Sequence, residues 1–412
     1  MRLPRGSHLR FYFAAVLVLP FLLAADRPNP AKLDDPSLRL VHTKHYDIHT
    51  DMDEALVTDL STRMDSMYDQ YLKTFSDFKP RADAAPLPVY LFATHEKYMA
   101  FTDYSGVNTG GLFIPGRHPF LTAYEQGQGR DALRRTLQHE AFHQFAYQNI
   151  SRQLPPWLNE GLAQLFEESI WEGDDFITGQ VPPRRIRQLH VDTVQKHVVE
   201  LDQFLFQSSR DWTSDVHTNL DKAASAYNQA WAIAYFCSSA GDPAYHKSFA
   251  DLLKKLHEPN TDPGDAIRKA FPDLKDFRKK FNAFAASLKA TPESTQLENQ
   301  DILGDFLLAV TQHGRPVPAD MAAFRHLVVD ENLKIEYEHN KFTHTTSASP
   351  IVYFSDLAGV PYKPGELFFR ADLDAPLPDI ICQPAGSMIR YRTRFYVSGE
   401  TTEHEMLIEA LP

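Results

Sequence analysis

The sequence predicts an α+β chain, and three observations carry that reading. A strand–helix–strand pattern opens the ordered part, a long run of helical stretches fills the middle, and from about residue 333 an apolar–polar alternation of the strand type takes over. The elements justify it in order. Leu38 to Asp51 reads as a strand, with Leu40, His42, Tyr46 and Ile48 in partial alternation. Asp51-Met52-Asp53-Glu54 is a capping-box pattern. It opens a helix to about Phe78 with Leu56, Leu60, Met64, Met67 and Tyr71 along one face. Pro86 to Ala93 is a second strand, and His95 to Phe101 a short helix. Thr109-Gly110-Gly111-Leu112-Phe113-Ile114-Pro115 and Pro119 to Tyr124 are two further apolar pieces.

Helical spacing then dominates. Leu133, Leu137, Phe142, Phe145 and Ala146 mark a helix from Asp131, a candidate N-cap, to Ile150. Ser151 to Pro156 breaks it, and Leu158, Leu162, Leu165 and Phe166 mark the next helix. Trp171 to Val181 is a turn-rich candidate cover for a cleft, and Pro182 to Arg187 reads as a solvated basic loop and helix start. Asp221 to Ser239 is apolar almost all round and should be buried. Ala244 to Leu256, Pro263 to Phe271 and Leu274 to Leu288 complete a helical lobe. Thr291 to Thr295 reads as a linker between a domain of residues 26–290 and a small, mainly β appendage of residues 296–412. In the appendage Asp301 to His313 and Ala319 to Val328 look helical. Leu333 to Tyr337, Ile351 to Phe354, Leu367 to Arg370, Met388 to Val397 and Glu405 to Ile408 look like strands.

The first 25 residues are read as an export signal peptide, not as fold. Arg2, Arg5 and Arg10 form a basic start, Phe11 to Ala25 is uncharged and apolar, and Leu23-Ala24-Ala25 offers small residues for cleavage. Fifteen apolar residues fall short of the roughly 20 that span a bilayer, so no membrane span is expected after cleavage. An uncleaved N-terminal anchor is the alternative. Net charge is −12, and −15 once the three arginines are removed. That argues against nucleic acid as a partner. Two cysteines, Cys237 and Cys382, exclude a disulfide framework and any Cys-x-x-Cys zinc site; buried free thiols are expected. His42, His45 and His49 do not share one strand face and read as surface histidines. No oligomer signal and no internal repeat stand out.

The chemistry gathers in Thr136-Leu137-Gln138-His139-Glu140-Ala141-Phe142-His143-Gln144. On a helix His139 and His143 lie on one face, where two imidazoles can share one zinc ion. Glu140, one step round, is placed as a base for a metal-bound water and not as a ligand. A catalytic zinc site takes three protein ligands and keeps one position open. Glu160, in Trp157-Leu158-Asn159-Glu160-Gly161 on the next helix, supplies the third.

His139-Glu140-x-x-His143 followed by Trp157-Leu158-Asn159-Glu160-Gly161 resembles the gluzincin metallopeptidases. Its wording is similar to the aminopeptidase N branch, its spacing to the small secreted peptidase-MA-like proteins, and it covers roughly Tyr90 to Phe284. The resemblance implies a thermolysin-like zincin domain with an N-terminal α/β lobe and a helical lobe. It implies one Zn²⁺ held by His139, His143 and Glu160, with Glu140 as general base and a peptide or protein as substrate. It also implies a sheet-edge strand above the metal helix that pairs with substrate, for which Gly110, Gly111 and Leu112 are the candidates; an ordinary hairpin turn is the alternative. The aminopeptidase branch keeps a glutamate in that strand, and none occurs between Gly110 and Pro119, which leans the expectation towards an endopeptidase. One turn past Glu160 stands Gln164, a candidate to hold a ligand histidine's ring N–H, or a partly exposed helical glutamine. Tyr227 stands where gluzincins carry a proton donor facing the developing oxyanion; packing on Trp231 is its alternative role. A zincin-fold protein that binds zinc without turnover, or an envelope protein acting through its C-terminal part, remains the alternative to hydrolysis.

Overall fold

The computed structural model describes Leu33 and residues 35–411, apart from residues 83, 103–108, 219, 241, 313, 334, 340, 341, 346 and 348. The expected signal segment lies outside the described residues. Among the described residues no helix is long and apolar enough to cross a membrane. The chain mixes helices with several sheets, an α+β organisation.

The first sheet contains β1 (Arg39–His42), β2 (Tyr46–Thr50), β3 (Leu87–Phe92), β4 (Gly111–Ile114) and β5 (Phe120–Tyr124) in the order β1-β2-β3-β5-β4. The single strand expected from Leu38 to Asp51 is a hairpin. The Thr43 hydroxyl and the Asp65 carboxylate bind the backbone N–H groups of residues 44–46, so the chain turns there. β2, β3 and β5 run parallel and β4 returns antiparallel to β5, which makes β4 an edge strand. β3 is buried on both faces. Val89 and Leu91 join the main core with α1 (Glu54–Thr74), while Tyr90 and Phe92 meet α2 (His95–Thr102). The Asp53 carboxylate caps α1 by accepting the N–H groups of Ala55 and Leu56.

The two central helices are α3 (Arg130–Asn149) and α4 (Pro156–Glu167). α3 packs on β4, β5, α1 and α4. Its N-cap is Gly129, not Asp131. Gly129 takes a left-handed φ of 80° that a side chain would disfavour. Asp131 lies in the first turn and is engaged elsewhere, accepting from Arg134 and from the Met406 N–H.

A short hairpin, β6 (Ile170–Trp171) and β7 (Phe176–Ile177), leads to α5 (Pro183–Gln195), α6 (Leu201–Phe204), α7 (Ser209–Thr218) and α8 (Leu220–Tyr235). α8 is buried as its all-round apolar pattern requires: Ala230, Trp231, Ala232, Ile233 and Ala234 are inaccessible. α4 lies directly on it. A Cβ on Gly161 would overlap the Ala230 carbonyl oxygen and meet the Ala234 Cβ at 2.8 Å. Gly161→Ala therefore has to push two helices apart, and a loss of about 1–3 kcal/mol in urea unfolding is expected. An unchanged midpoint would show that the crossing is looser than these distances require.

Of the three arginines at the start of α5, all expected to be solvated, Arg187 alone is exposed. Arg184 and Arg185 are buried and grip the Glu168 carboxylate, and the Arg185 guanidinium lies 5.4 Å from the Trp231 ring centroid. The helical lobe closes with α9 (Pro243–His257), α10 (Pro263–Ala270) and α11 (Leu274–Ser287).

The expected linker at residues 291–295 is instead the start of α12 (Pro292–Gln312), with proline in the first turn, where its missing N–H costs nothing. The Thr291 N–H donates to the Val181 carbonyl, and Thr291 and Ser294 hydroxyls donate to Gln180, fastening this junction to the first domain. α13 (Met321–Arg325) and a small hairpin, β8 (Glu336–His339) with β9 (Phe342–Thr345), follow. Ile351 to Phe354, expected as a strand, lies in a 3₁₀ turn, Pro350–Phe354, with proline at its start. β10 (Leu367–Arg370), β11 (Asp379–Cys382), β12 (Ile389–Ser398) and β13 (Thr401–Ala410) form an antiparallel sheet that packs on α12 over its own core. Cys237 and Cys382 are both buried free thiols, as expected.

This sheet also seals the start of α3. The Arg130 N–H donates to the Tyr396 hydroxyl at 3.0 Å, and buried Glu405 pairs with Arg134 at 2.8 Å and with Arg130 at 3.2 Å. His404 lies 2.8 Å from Asp301. Burial alone would lower its pKa, but the Asp301 hydrogen bond and the charges of Asp305, Asp301 and Asp131 outweigh it and hold the imidazole at about 9. A raised pKa in the folded state stabilises fully below the unfolded value of about 6.5 and is lost as pH rises through about 9. Stability is thus expected to decline between those limits by on the order of 3 kcal/mol, and His404→Gln should flatten that slope. An identical slope in the variant would assign it to other groups.

Candidate metal centre

α3 carries His139, Glu140 and His143 on its buried length, and α4 runs back beside it carrying Glu160. All four are inaccessible or nearly so. The imidazole rings of His139 and His143 lie 4.7 Å apart. Both Nε2 atoms face one carboxylate: His139 Nε2 is 3.3 Å from Glu160 Oε2, and His143 Nε2 is 3.7 Å from Glu160 Oε1. One ligand atom from each of the three residues lies within 4.8 Å of the others, and the three could hold a metal ion. Ligand bonds of about 2.0–2.1 Å in a tetrahedron put ligand atoms about 3.3 Å apart, so the donor set fits a small divalent cation.

The surrounding charge favours a cation as well. His139 Nδ1 is 2.9 Å from Glu167 Oε2. Burial would lower the pKa of His139, but its bonds to Glu160 and Glu167 outweigh that and raise it to about 9. Two buried carboxylates bracketing one imidazole attract positive charge, whether it arrives as a proton or as a metal. Glu167 thus holds the role that the sequence suggested for Gln164. α4 runs antiparallel to α3, so the side chain that reaches Nδ1 stands two turns beyond Glu160, not one. The Gln164 Nε2 is buried without a hydrogen-bond partner. The spacing of seven residues between Glu160 and Glu167 was visible in the sequence; the direction of α4 against α3 was not.

Glu140 is held from the sheet. The backbone N–H of Phe113, on edge strand β4, donates to Glu140 Oε2 at 2.7 Å. The glycines of the candidate substrate strand permit that approach. A Cβ on Gly111 would meet the Thr122 carbonyl oxygen and the Thr136 Cγ2 at 2.8 Å, and one on Gly110 would overlap the Gln128 side chain. Their open faces are filled by this chain's own α3 and Gln128. Leu112 is buried on the opposite face of β4, in the small core beneath α2.

Tyr227, on α8, is buried against Trp212, ring edge to face at 5.5 Å, and not against Trp231, which stacks on Tyr235 instead. Burial first, then the charges of Glu160 and Glu140, push its phenol well above its ordinary pKa, so it stays protonated and lies within electrostatic reach of both carboxylates.

Residues 134–259 match the family model described as "Protein of unknown function (DUF1570)". No curated protein matches the chain. The matched segment runs from the second turn of α3 to just past α9, so it contains the His139–His143–Glu160 group and Tyr227 but neither the first sheet nor the C-terminal one. The resemblance is therefore confined to that segment, which includes the three residues that could hold a metal ion.

Proposed function

We propose that this chain is a zinc-dependent endopeptidase of the gluzincin kind, with a thermolysin-like zincin domain over residues 26–290 and export by its N-terminal segment. The observation that carries the proposal is the convergence of His139, His143 and Glu160 with Glu140 fastened beside them. His139, His143 and Glu160 would hold the zinc, with Glu167 fixing the His139 ring. When bound, zinc lowers the pKa of a water towards about 7 and polarises a carbonyl.

The rest is done by side chains. Glu140 accepts the proton of the attacking water and returns it to the leaving amine. Its hydrogen bond from Phe113 fixes the position of the carboxylate that acts as the base. Tyr227, kept protonated, donates to the oxyanion that develops on the substrate carbonyl. The absence of a carboxylate between Gly110 and Pro119 leaves nothing there to hold a free amine, which supports internal cleavage over aminopeptidase action.

Incubating the purified chain with a mixed peptide library, with and without a chelator, tests this. Cleavage that the chelator abolishes and zinc restores is expected. Stoichiometric zinc with no cleavage would instead favour a zincin-fold binding protein, and no metal uptake would remove both readings.

A further inference from the structure

A cavity of about 90 Å³ lies between the first turns of α3, the end of α4, the β6–β7 hairpin and the α12–β13 layer. Charged side chains line it, and the carboxylates among them are engaged. Glu168 is gripped by Arg184 and Arg185, and Glu298 accepts from Arg187 and from the Arg184 backbone N–H. Asp131 binds Arg134 and the Met406 N–H, Asp301 binds His404, and Glu167 binds His139.

Of the lining cations, Arg63 pairs with Asp59, and Arg134 with Asp59, Asp131 and Glu405; Arg135 and Arg184 are less fully matched. Among the described residues Arg135 has one ion pair, at 3.6 Å, to the Glu168 carboxylate that already serves two other arginines, although its side chain is only 26% exposed. A guanidinium carries five N–H donors. Arg184, 6% exposed, adds an enclosed Nε–H with no hydrogen-bond partner. Burial and then the Arg184 charge pull Arg135 below its ordinary pKa, against the opposing charges of Glu168, Asp131 and Asp301.

We propose that this cavity binds a small oxyanion, a carboxylate or a phosphate, held by Arg135 and Arg184. The planar guanidinium fork matches two oxygens of such a group at once. The cavity has room for a small ion. Arg135 stands one turn before His139 on α3, so the anion lies beside the metal ligands without being one of them. This site is independent of the peptidase reading and can be present or absent whichever way that reading falls.

Thermal unfolding and calorimetry of the full chain test it, with inorganic phosphate and acetate titrated separately at constant ionic strength against chloride. Saturable binding that raises the melting temperature is expected, and the tighter of the two arms identifies the source of the oxyanion. Arg135→Gln loses only the 3.6 Å pair, so it should fold and weaken the binding at least about tenfold, while exposed Arg152→Gln leaves it unchanged. Should the glutamine variant not fold, Arg135→Lys keeps the charge, loses the fork, and is expected to bind at least about threefold more weakly. Equal binding in the Arg135 variants, as contact with the metal centre would give, overturns the proposal. So does a rise that never saturates, which would mean an adventitious ion only.

Discussion

Glu140→Gln is expected to keep the metal and to lower peptide turnover on the order of a thousandfold. The substitution is nearly isosteric, and a glutamine oxygen can still accept the Phe113 N–H, so neither the β4 contact nor the ligand set has reason to move. What is lost is the ability to take a proton. KM should change little, because the missing interaction belongs to the transition state and not to ground-state binding. Metal analysis and library cleavage on the same preparation read both halves of the expectation. A variant that still cleaves at the wild-type rate removes Glu140 as the base, and one that loses its metal assigns it a structural role instead.

Glu168→Ala is expected to cost about 3–5 kcal/mol of stability. The Glu168 carboxylate is 4% exposed and meets Arg184, then Arg185 at 2.7 Å, then Arg135 at 3.6 Å. Burial would raise its pKa, but those three cations outweigh it and hold it below the usual carboxylate range. Truncation leaves buried guanidinium groups without their shared anion, and desolvated charge has no cheap alternative partner there. The urea midpoint should fall with an unchanged slope. Because the folded pKa is depressed, the stabilising effect holds at neutral pH and is lost on acidification through the folded pKa, a loss that the variant should no longer show. A change under about 1 kcal/mol would mean that water enters and solvates the arginines.

Much of this could be read before any coordinates. His139 and His143 were bound to share a face, because a helix returns to the same side every 3.6 residues. Trp157 to Gly161 followed a break too short to let the second helix wander far. The burial of α8 followed from a segment with no polar face to offer water. The misreadings were of another kind. Residues 291–295 look like a linker by composition, yet Gln180 and Val181 receive their polar groups and make them a helix start. Pro182 to Arg187 looks solvated until Glu168 is brought to it from another helix. Gln164 was the natural partner for a ligand histidine by spacing, and Glu167 took the place because of the way α4 lies on α3.

By itself the sequence determined which side chains could meet at one cation and which helices present them, since both follow from local periodicity and from what imidazole and carboxylate can do. Only the tertiary structure decided what steadies them: Glu167 on His139, the Phe113 N–H on Glu140, and the C-terminal sheet on the first turn of α3. These contacts depend on the approach of elements far apart in the chain. That approach is set by packing where glycines meet helices, at Gly161 on Ala230 and Gly111 on Thr136, and no local pattern encodes it.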